Sequence, residues 1–271
     1  MSTSAAVLTQ TAARRRSSRR RIDLGLLGGF VIALATMVAG IAATGVKLSY
    51  FIQPSSLWIV FGGTLGVTFV TTPRRVFGQT LRRVGGLLWE KPSDPAQLLE
   101  EILSYLRKAR IDGLLRIEPL IENASHPLLK DALVLALEMP RTELQAAIMT
   151  KISAHERHGE AEAKTLEVAG GFAPTIGVIG TVVGLVETLR QFSDVSSVAS
   201  GVGAAFASTL YGLGLANLVL LPLAHRIRAT VLENFEIETL ILEGAICILD
   251  GVHPSLAPER LSAFVRTRPN A

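Results

Sequence analysis

The sequence predicts an all-α, polytopic membrane protein with four transmembrane helices and a helical cytoplasmic domain. Three observations predict it. First, 49% of the 271 residues are hydrophobic and 18% charged, and the apolar residues are concentrated. Residues 24–46, 48–73, 168–186 and 195–224 contain no Asp, Glu, Lys or Arg. Each run can cross a hydrocarbon core of about 30 Å, which takes roughly 20 helical residues. Second, 25 of the 27 Lys and Arg fall in three segments: the N-terminal tail, residues 74–164, and the chain after 225. Only Lys47 and Arg190 lie in the two short connections between spans. That is the positive-inside pattern, with both termini and the long middle segment cytoplasmic and two tight turns outside. Third, the polar segments repeat their apolar residues at helical spacing, and no period-two stretch of any length occurs.

The elements follow in order. Residues 1–21 form a basic cytoplasmic tail whose "RRRSSRRR" at 14–21 lies beside anionic membrane lipid. Residues 22–73 form the first transmembrane hairpin, with spans at about 24–46 and 56–72. The small residues of "AGIAATG" could suggest a cleaved signal peptide, but the run is too long and a second span follows at once, so the span is expected to stay. The hairpin turns at "KLSYFIQPSS", where Gln53-Pro54 breaks the helix and Ser55-Ser56 can cap the next one. Pro73 closes the second span, with Arg74 and Arg75 behind it.

Residues 74–168 are expected to be a cytoplasmic helical domain. Ser93 or Asp94 can cap a helix that opens on Pro95 and carries Leu98, Leu99, Ile102, Leu103 and Leu106 at helical spacing. "DGLLRIEPLIE" starts a short helix, "HPLLKDALVLALEM" makes another, and "RTELQAAIMTKISAHERHGEAEAKTLEVA" runs toward the third span. Residues 169–224 form the second hairpin, with spans at about 169–189 and 201–224. In 225–271, helical period through Ile227, Val231, Phe235 and Leu242 carries the fourth helix into the cytoplasm until Gly251. The Pro-, Ser- and Arg-rich end is expected to fray.

Catalysis finds no constellation. The single cysteine, Cys247, excludes a disulfide framework and a multi-cysteine metal site and reads as a packing residue. Of five histidines only His155 and His158 share a helix face, in the charge-rich "AHERHGE", and read as solvated surface. No phosphate loop or nucleophile elbow occurs, so neither enzyme activity nor a cofactor is expected. The excess of basic residues is explained by membrane topology and calls for no nucleic acid.

The spans carry more information. Gly170, Pro174, Gly177, Thr181, Gly184 and Thr188 recur at steps of four and three, which places them on one helix face. The fourth span has a shorter stripe of Gly201, Ala205, Ser208 and Gly212, with Thr209 beside it. Small residues let helix backbones approach closely in lipid, where hydrophobic attraction between helices is absent. The glycines, Gly180 among them, need no more than that. Thr181 and Thr209 have two readings: each hydroxyl bonds back to its own helix, or both face a seam where an ion or a partner's polar group passes. No charged residue sits deep in any span, and Glu187 reads as interfacial. A protein conducting ions alone would hold an intramembrane ionisable group. If ions move here, a partner chain supplies the carboxylate.

"PSSLWIVFGGTLGVTFVTTP" resembles the second span of MotA-type flagellar stator subunits, and "FAPTIGVIGTVVGLVETL" with "GVGAAFASTLYGLGLANLVLLPLA" resembles their third and fourth spans. The likeness runs from about residue 22 to 250. It implies a subunit of the bacterial inner membrane that forms a pentamer around two copies of a single-span MotB/PomB-type partner. The partner carries the ion-binding Asp and a domain that grips peptidoglycan. Flow of H+ or Na+ past that Asp turns the ring, which pushes on a FliG-type rotor protein. By the same resemblance, Arg110 and Glu118 in "RKARIDGLLRIE" face the rotor. Pro174 and Pro222 couple conformational change, and Thr181 and Thr209 line the ion path, with Ser208 beside them. Two threonines at these positions look more like the sodium-driven PomA branch, although proton-driven relatives keep them as well. The alternative is a TolQ/ExbB-type energy transducer. Those proteins usually carry a Glu near the start of the last span, where this chain has Ala204, and lack the "GGTLG" hairpin.

Overall fold

The computed structural model describes residues 24–45, 51–87, 94–190 and 195–264. The Arg-rich stretch at 14–21, Ser93 and the inter-span turns at 46–50 and 191–194 lie outside these residues. Within them every regular element is helical. In chain order these are α1 (Leu24–Ala43), α2 (Pro54–Thr71), α3 (Arg74–Leu87) and α4 (Pro95–Asp112). A 3₁₀ turn (Leu114–Ile117) leads to α5 (Glu118–Ile121), then α6 (Pro127–Glu138) and α7 (Arg141–Arg190). α8 (Val195–Gly214) runs through a π turn (Leu215–Leu220) into α9 (Leu221–Leu249), and α10 (Ala257–Ser262) ends the described chain. Among the described residues, three helical stretches are long and apolar enough to cross a membrane: Pro54–Thr71 and parts of Arg141–Arg190 and Gly201–Leu249. The apolar part of α1, Leu27–Ala43, is shorter.

α7 is the structural spine. At 1.5 Å per residue its 50 residues extend about 75 Å, more than twice a hydrocarbon core. The polar helix expected to run toward the third span and the span itself are therefore one rod. α8 and α9 pack along it as a second rod. Displacement of the spans must then reach the polar domain through continuous backbone rather than through a loop.

Local chemistry sets the helix ends. Asp94 caps α4, its Oδ1 accepting from Ala96 N at 3.0 Å, with Pro95 in the first turn. Gly113 at φ +91° ends α4, and Gly251 at φ +61° follows α9; both angles disfavour a side chain. His126 caps α6 through Nδ1, which accepts from Leu128 N at 3.2 Å. Burial lowers the His126 pKa, which favours the neutral ring that this acceptor role requires.

Two expectations are corrected. Ser55 and Ser56 do not cap α2. Pro54 takes its first turn, Gln53 is the extended N-cap residue, and Ser56 lies inside the helix with its hydroxyl donating to Ala204 O at 2.9 Å. The chain after Gly251 is not simply frayed either. α10 buries Ala257 and Leu261 completely in the domain core, because two apolar residues four apart share one helix face.

That core gathers Leu98, Ile102 and Leu106 of α4, Leu129 and Leu133 of α6, Leu144, Ile148 and Ile152 of α7, and Leu240, Ile241 and Ile246 of α9. Cys247 is buried among them and burial raises its thiol pKa, as a packing residue requires. A fully buried aliphatic side chain of this kind contributes roughly 1.5–3 kcal/mol. A second, smaller cluster joins Leu87 of α3, Ala163 and Leu166 of α7, and Leu223, Ala224 and Ile227 of α9, with Phe30 of α1 against it. It sits where the apolar and polar halves of the rods meet.

Candidate functional site

The backbones of α7 and α8 come very close together through their apolar parts. A Cβ added at Gly177 would stand 2.9 Å from the Ser208 carbonyl oxygen, and one at Gly184 2.8 Å from Ala205 N. At Gly212 it would stand 2.6 Å from the Ala173 carbonyl oxygen and 3.1 Å from Gly177 Cα. At Gly180 it would meet the Ser208 side chain at 2.7 Å. Backbones this close leave no room for a methyl group, so glycine is the only residue type that fits without displacement.

On one side of this seam the two threonine hydroxyls meet. Thr181 Oγ1 lies 2.5 Å from Thr209 Oγ1, 3.0 Å from Ala205 O and 3.1 Å from Gly177 O. Both threonines are partly accessible at the edge of the seam. Thr181 Oγ1 thus has three other oxygens within 3.1 Å inside an apolar span, and two hydroxyl protons serve this group of four. Such a cluster suits a hard cation or a hydronium, for which oxygen is the preferred ligand. It is neutral, and neither span offers a carboxylate in its charge-free stretch. Of the two readings of these threonines, back-bonding alone does not describe Thr181. Its hydroxyl also reaches across to α8.

Ser208 does not join this pair. It is fully buried, donates to Ala204 O at 3.2 Å and packs on Gly180 of α7. Adjacent residues on a helix point about 100° apart, so Ser208 turns into the seam against Gly180 of α7 while Thr209 sits at its accessible edge. Glu187 lies on the exposed face near the C-terminal end of α7.

Each rod carries a proline. α7 continues through Pro174, and Pro222 stands two residues past the π turn Leu215–Leu220. A Cβ on Gly170, one turn before Pro174, would lie 2.9 Å from Leu221 Cδ2. The Ala173 carbonyl, just before Pro174, faces Gly212 instead, so each rod has a missing backbone donor at its own height. Arg110 and Glu118 lie far away, exposed at the tip of the polar domain on either side of Gly113. Arg110 Nη1 donates to Gly251 O at 2.5 Å. Beside them stand Ile111 and Leu115, 81% and 73% exposed, which charge-based reasoning passed over.

Three further features were not singled out from sequence. The Tyr211 hydroxyl donates to Phe51 O and accepts from Gln53 N at 3.2 Å, tying the start of α2 to α8. His155 Nδ1 lies 2.8 Å from Glu238 Oε1, so this histidine is paired rather than simply solvated. Arg228 of α9 grips Glu167 at 2.5 Å and Glu160 at 3.3 Å, both on α7, just beyond the apolar spans. The Arg228 guanidinium holds the Glu167 carboxyl below the usual carboxylate range. The stability this pair contributes is present above the ordinary carboxylate pKa and is lost as pH falls through the depressed one. Arg228→Met is expected to lower the thermal midpoint modestly and to flatten its fall on acidification. An unchanged acid profile by circular dichroism would show that the clamp contributes nothing.

Residues 121–237 match the MotA/TolQ/ExbB proton channel family, and residues 27–113 match the motility protein A N-terminal family. The chain is similar to motility protein A of Bacillus subtilis (strain 168), at 26% identity over 250 residues, covering 90% of this chain and 91% of that protein. It is similar to chemotaxis protein PomA of Vibrio alginolyticus at 28% identity over 245 residues, covering 89% and 93%. In fold it resembles the C. jejuni MotAB structure, with a TM-score of 0.87 at 21% identity over 92% of this chain and 98% of that one. The flagellar MotAB stator complex of Bacillus subtilis gives a TM-score of 0.80 at 24% identity, over 87% and 93%.

Proposed function

The chain belongs to the MotA/TolQ/ExbB proton channel family, and we propose that it works within it as a flagellar motor stator subunit, turning transmembrane ion flow into torque on a rotor. The observation that carries this reading is the Thr181–Thr209 oxygen cluster. It is a cation-friendly point inside an apolar seam whose own chain lacks the titrating group. A single-span MotB/PomB-type partner supplies that group as an Asp. The match of residues 27–113 to the motility protein A N-terminus includes the first hairpin and favours this output over that of a TolQ/ExbB-type transducer.

In this reading four spans cross the bacterial inner membrane with both termini cytoplasmic. Five copies surround the partner. Each ion passing the threonine cluster shifts α7 and α8 about the turns at Pro174 and Pro222, and the rods carry the shift to the tip of the polar domain. There Arg110 and Glu118 meet a FliG-type rotor protein. Exposed charge pairs are weak and quickly broken, which suits a stepping contact.

Charge reversal tests the tip. Arg110→Glu is expected to cut swimming speed at least severalfold while the protein accumulates in the membrane at wild-type level, and Glu118→Lys is expected to do the same. Normal motility in both variants would remove these residues from the rotor contact.

A further inference from the structure

We propose that the outward face of α3 is a docking site for the phosphate groups of anionic phospholipids, formed by Arg74, Arg75 and Arg82 around Gly78. The placement of this face in the cytoplasmic leaflet rests on the topology given above.

The helix "RRVFGQTLRRVGGL" has four arginines and no acidic residue. One face, with Val76, Phe77, Thr80, Val84 and Leu87, turns inward, and α3 packs on α7. Arg83 on its border reaches Glu162 at 4.0 Å. Arg74, Arg75 and Arg82 point the other way, and none of them has an ion pair or hydrogen bond among the described residues. At 3.6 residues per turn these three lie within an arc of roughly 100°.

The spacing makes a cradle. Arg74, Gly78 and Arg82 follow at i, i+4 and i+8, so two guanidiniums flank a position with no side chain. Nothing stands within 4 Å of where a Cβ on Gly78 would be. Arginine's planar fork binds phosphate oxygens in pairs. Leu81 lies on the same face and is 67% exposed, an apolar neighbour that suits lipid better than water.

The position of α3 decides which phosphate. Only Thr72 and Pro73 separate it from α2, and the Phe77 ring packs on Phe69 of α2 at 4.7 Å between centroids. At its other end Val84 and Leu87 share an apolar cluster with Phe30 of α1. Both ends are thus tied to the ends of spans, which holds α3 at the membrane surface among headgroups. An acidic protein partner would not need that depth or the exposed leucine.

The test uses the full chain, extracted in neutral detergent and titrated with dioleoylphosphatidylglycerol or dioleoylphosphatidylcholine under native mass spectrometry. The wild-type chain is expected to prefer the anionic lipid by about tenfold or more, given the attraction of each basic residue near a headgroup layer. The triple variant Arg74→Gln/Arg75→Gln/Arg82→Gln is expected to retain less than about a third of that preference. Gly78→Leu keeps every charge, suits an exposed helix position and fills the cradle, so it is expected to weaken the preference in the same direction. Replacing the six arginines of residues 14–21 by Gln separates the tail and is expected to leave most of the preference intact. Unchanged lipid selectivity in the triple variant or in Gly78→Leu overturns the proposal, as does displacement of the lipid by a hexaglutamate peptide at equal concentration. Sidedness is read separately, by labelling Gln79→Cys with an impermeant maleimide in right-side-out and inverted vesicles. Labelling only in inverted vesicles supports the cytoplasmic leaflet. Labelling from the outside overturns the topology and the leaflet named here, while the lipid titration still judges the site.

Discussion

Gly212→Leu is expected to abolish the packed α7–α8 hairpin, and with it stable accumulation of the protein. The Cβ of any residue at 212 would stand 2.6 Å from the Ala173 carbonyl oxygen and 3.1 Å from Gly177 Cα. Both are backbone atoms of a helix held on its other side, so no rotamer change relieves the clash. Even a methyl group forced into such a seam costs roughly 1–3 kcal/mol, and a leucine must drive the helices apart along several turns. Separation would also part Thr181 from Thr209 and strip Ser208 of its packing on Gly180. Gly66→Ala is the control, since nothing lies within 4 Å of the added carbon there. Thermal aggregation in detergent should shift sharply for Gly212→Leu and little for Gly66→Ala. A Gly212→Leu protein as stable as the control would mean that the two backbones are not in contact.

Much of this architecture was legible in the sequence, because its causes are local or periodic. A charge-free run marks an apolar span wherever it occurs, the steps of four and three put Gly177, Thr181 and Gly184 on one face, and Asp94-Pro95 announces a helix start. Features that depend on which faces meet were not legible. Ser208 and Thr209 are neighbours in sequence, and the stripe alone could not say that one is buried against α7 and the other opens outward. Arg228 finds Glu160 and Glu167 across separations of 68 and 61 residues, which no local pattern encodes. The π turns at Trp58–Gly62 and Leu215–Leu220 left no recognised signal either, although Pro222 stands two residues beyond the second. The cap expected at Ser55-Ser56 went to Gln53 because proline occupies the first turn more readily than it follows it.

The continuity of α7 adds a mechanical argument to the stator reading. The apolar seam and the core residues Leu144, Ile148 and Ile152 belong to one helix, and α9 answers with Ile237, Leu240 and Ile241. Close-packed cores of this kind do not absorb a displacement gradually. The Arg228 clamp and the His155–Glu238 contact cross-link the two rods between the membrane and the domain. Under the stator reading, a shift at the threonine cluster would reach the tip with little loss on the way, apart from what the proline turns take up.

The largest functional effect is expected from removing the two hydroxyls at that cluster. Thr181→Val/Thr209→Val preserves the shape of both side chains, and the glycine seam around them is untouched. What disappears is the two hydroxyls of the four-oxygen group gathered at Thr181 Oγ1, the oxygens offered to a dehydrating cation in the proposed function. A hydrogen bond or similar contact to a charged group contributes about 1.5–3 kcal/mol, so losing two should slow ion passage on the order of a hundredfold or more. Motility should stop, while membrane level and thermal stability stay near those of the unchanged protein. Thr209→Ser retains the hydroxyl and should retain swimming, which separates chemistry from packing. Swimming speed measured against external sodium, with the proton gradient clamped, identifies the ion in the same strains. A speed that rises with sodium in Thr209→Ser and vanishes in the double valine variant assigns the cluster to sodium; a speed indifferent to sodium in the first and still lost in the second assigns it to protons. Vigorous swimming by the double valine variant would sink the ion-path assignment.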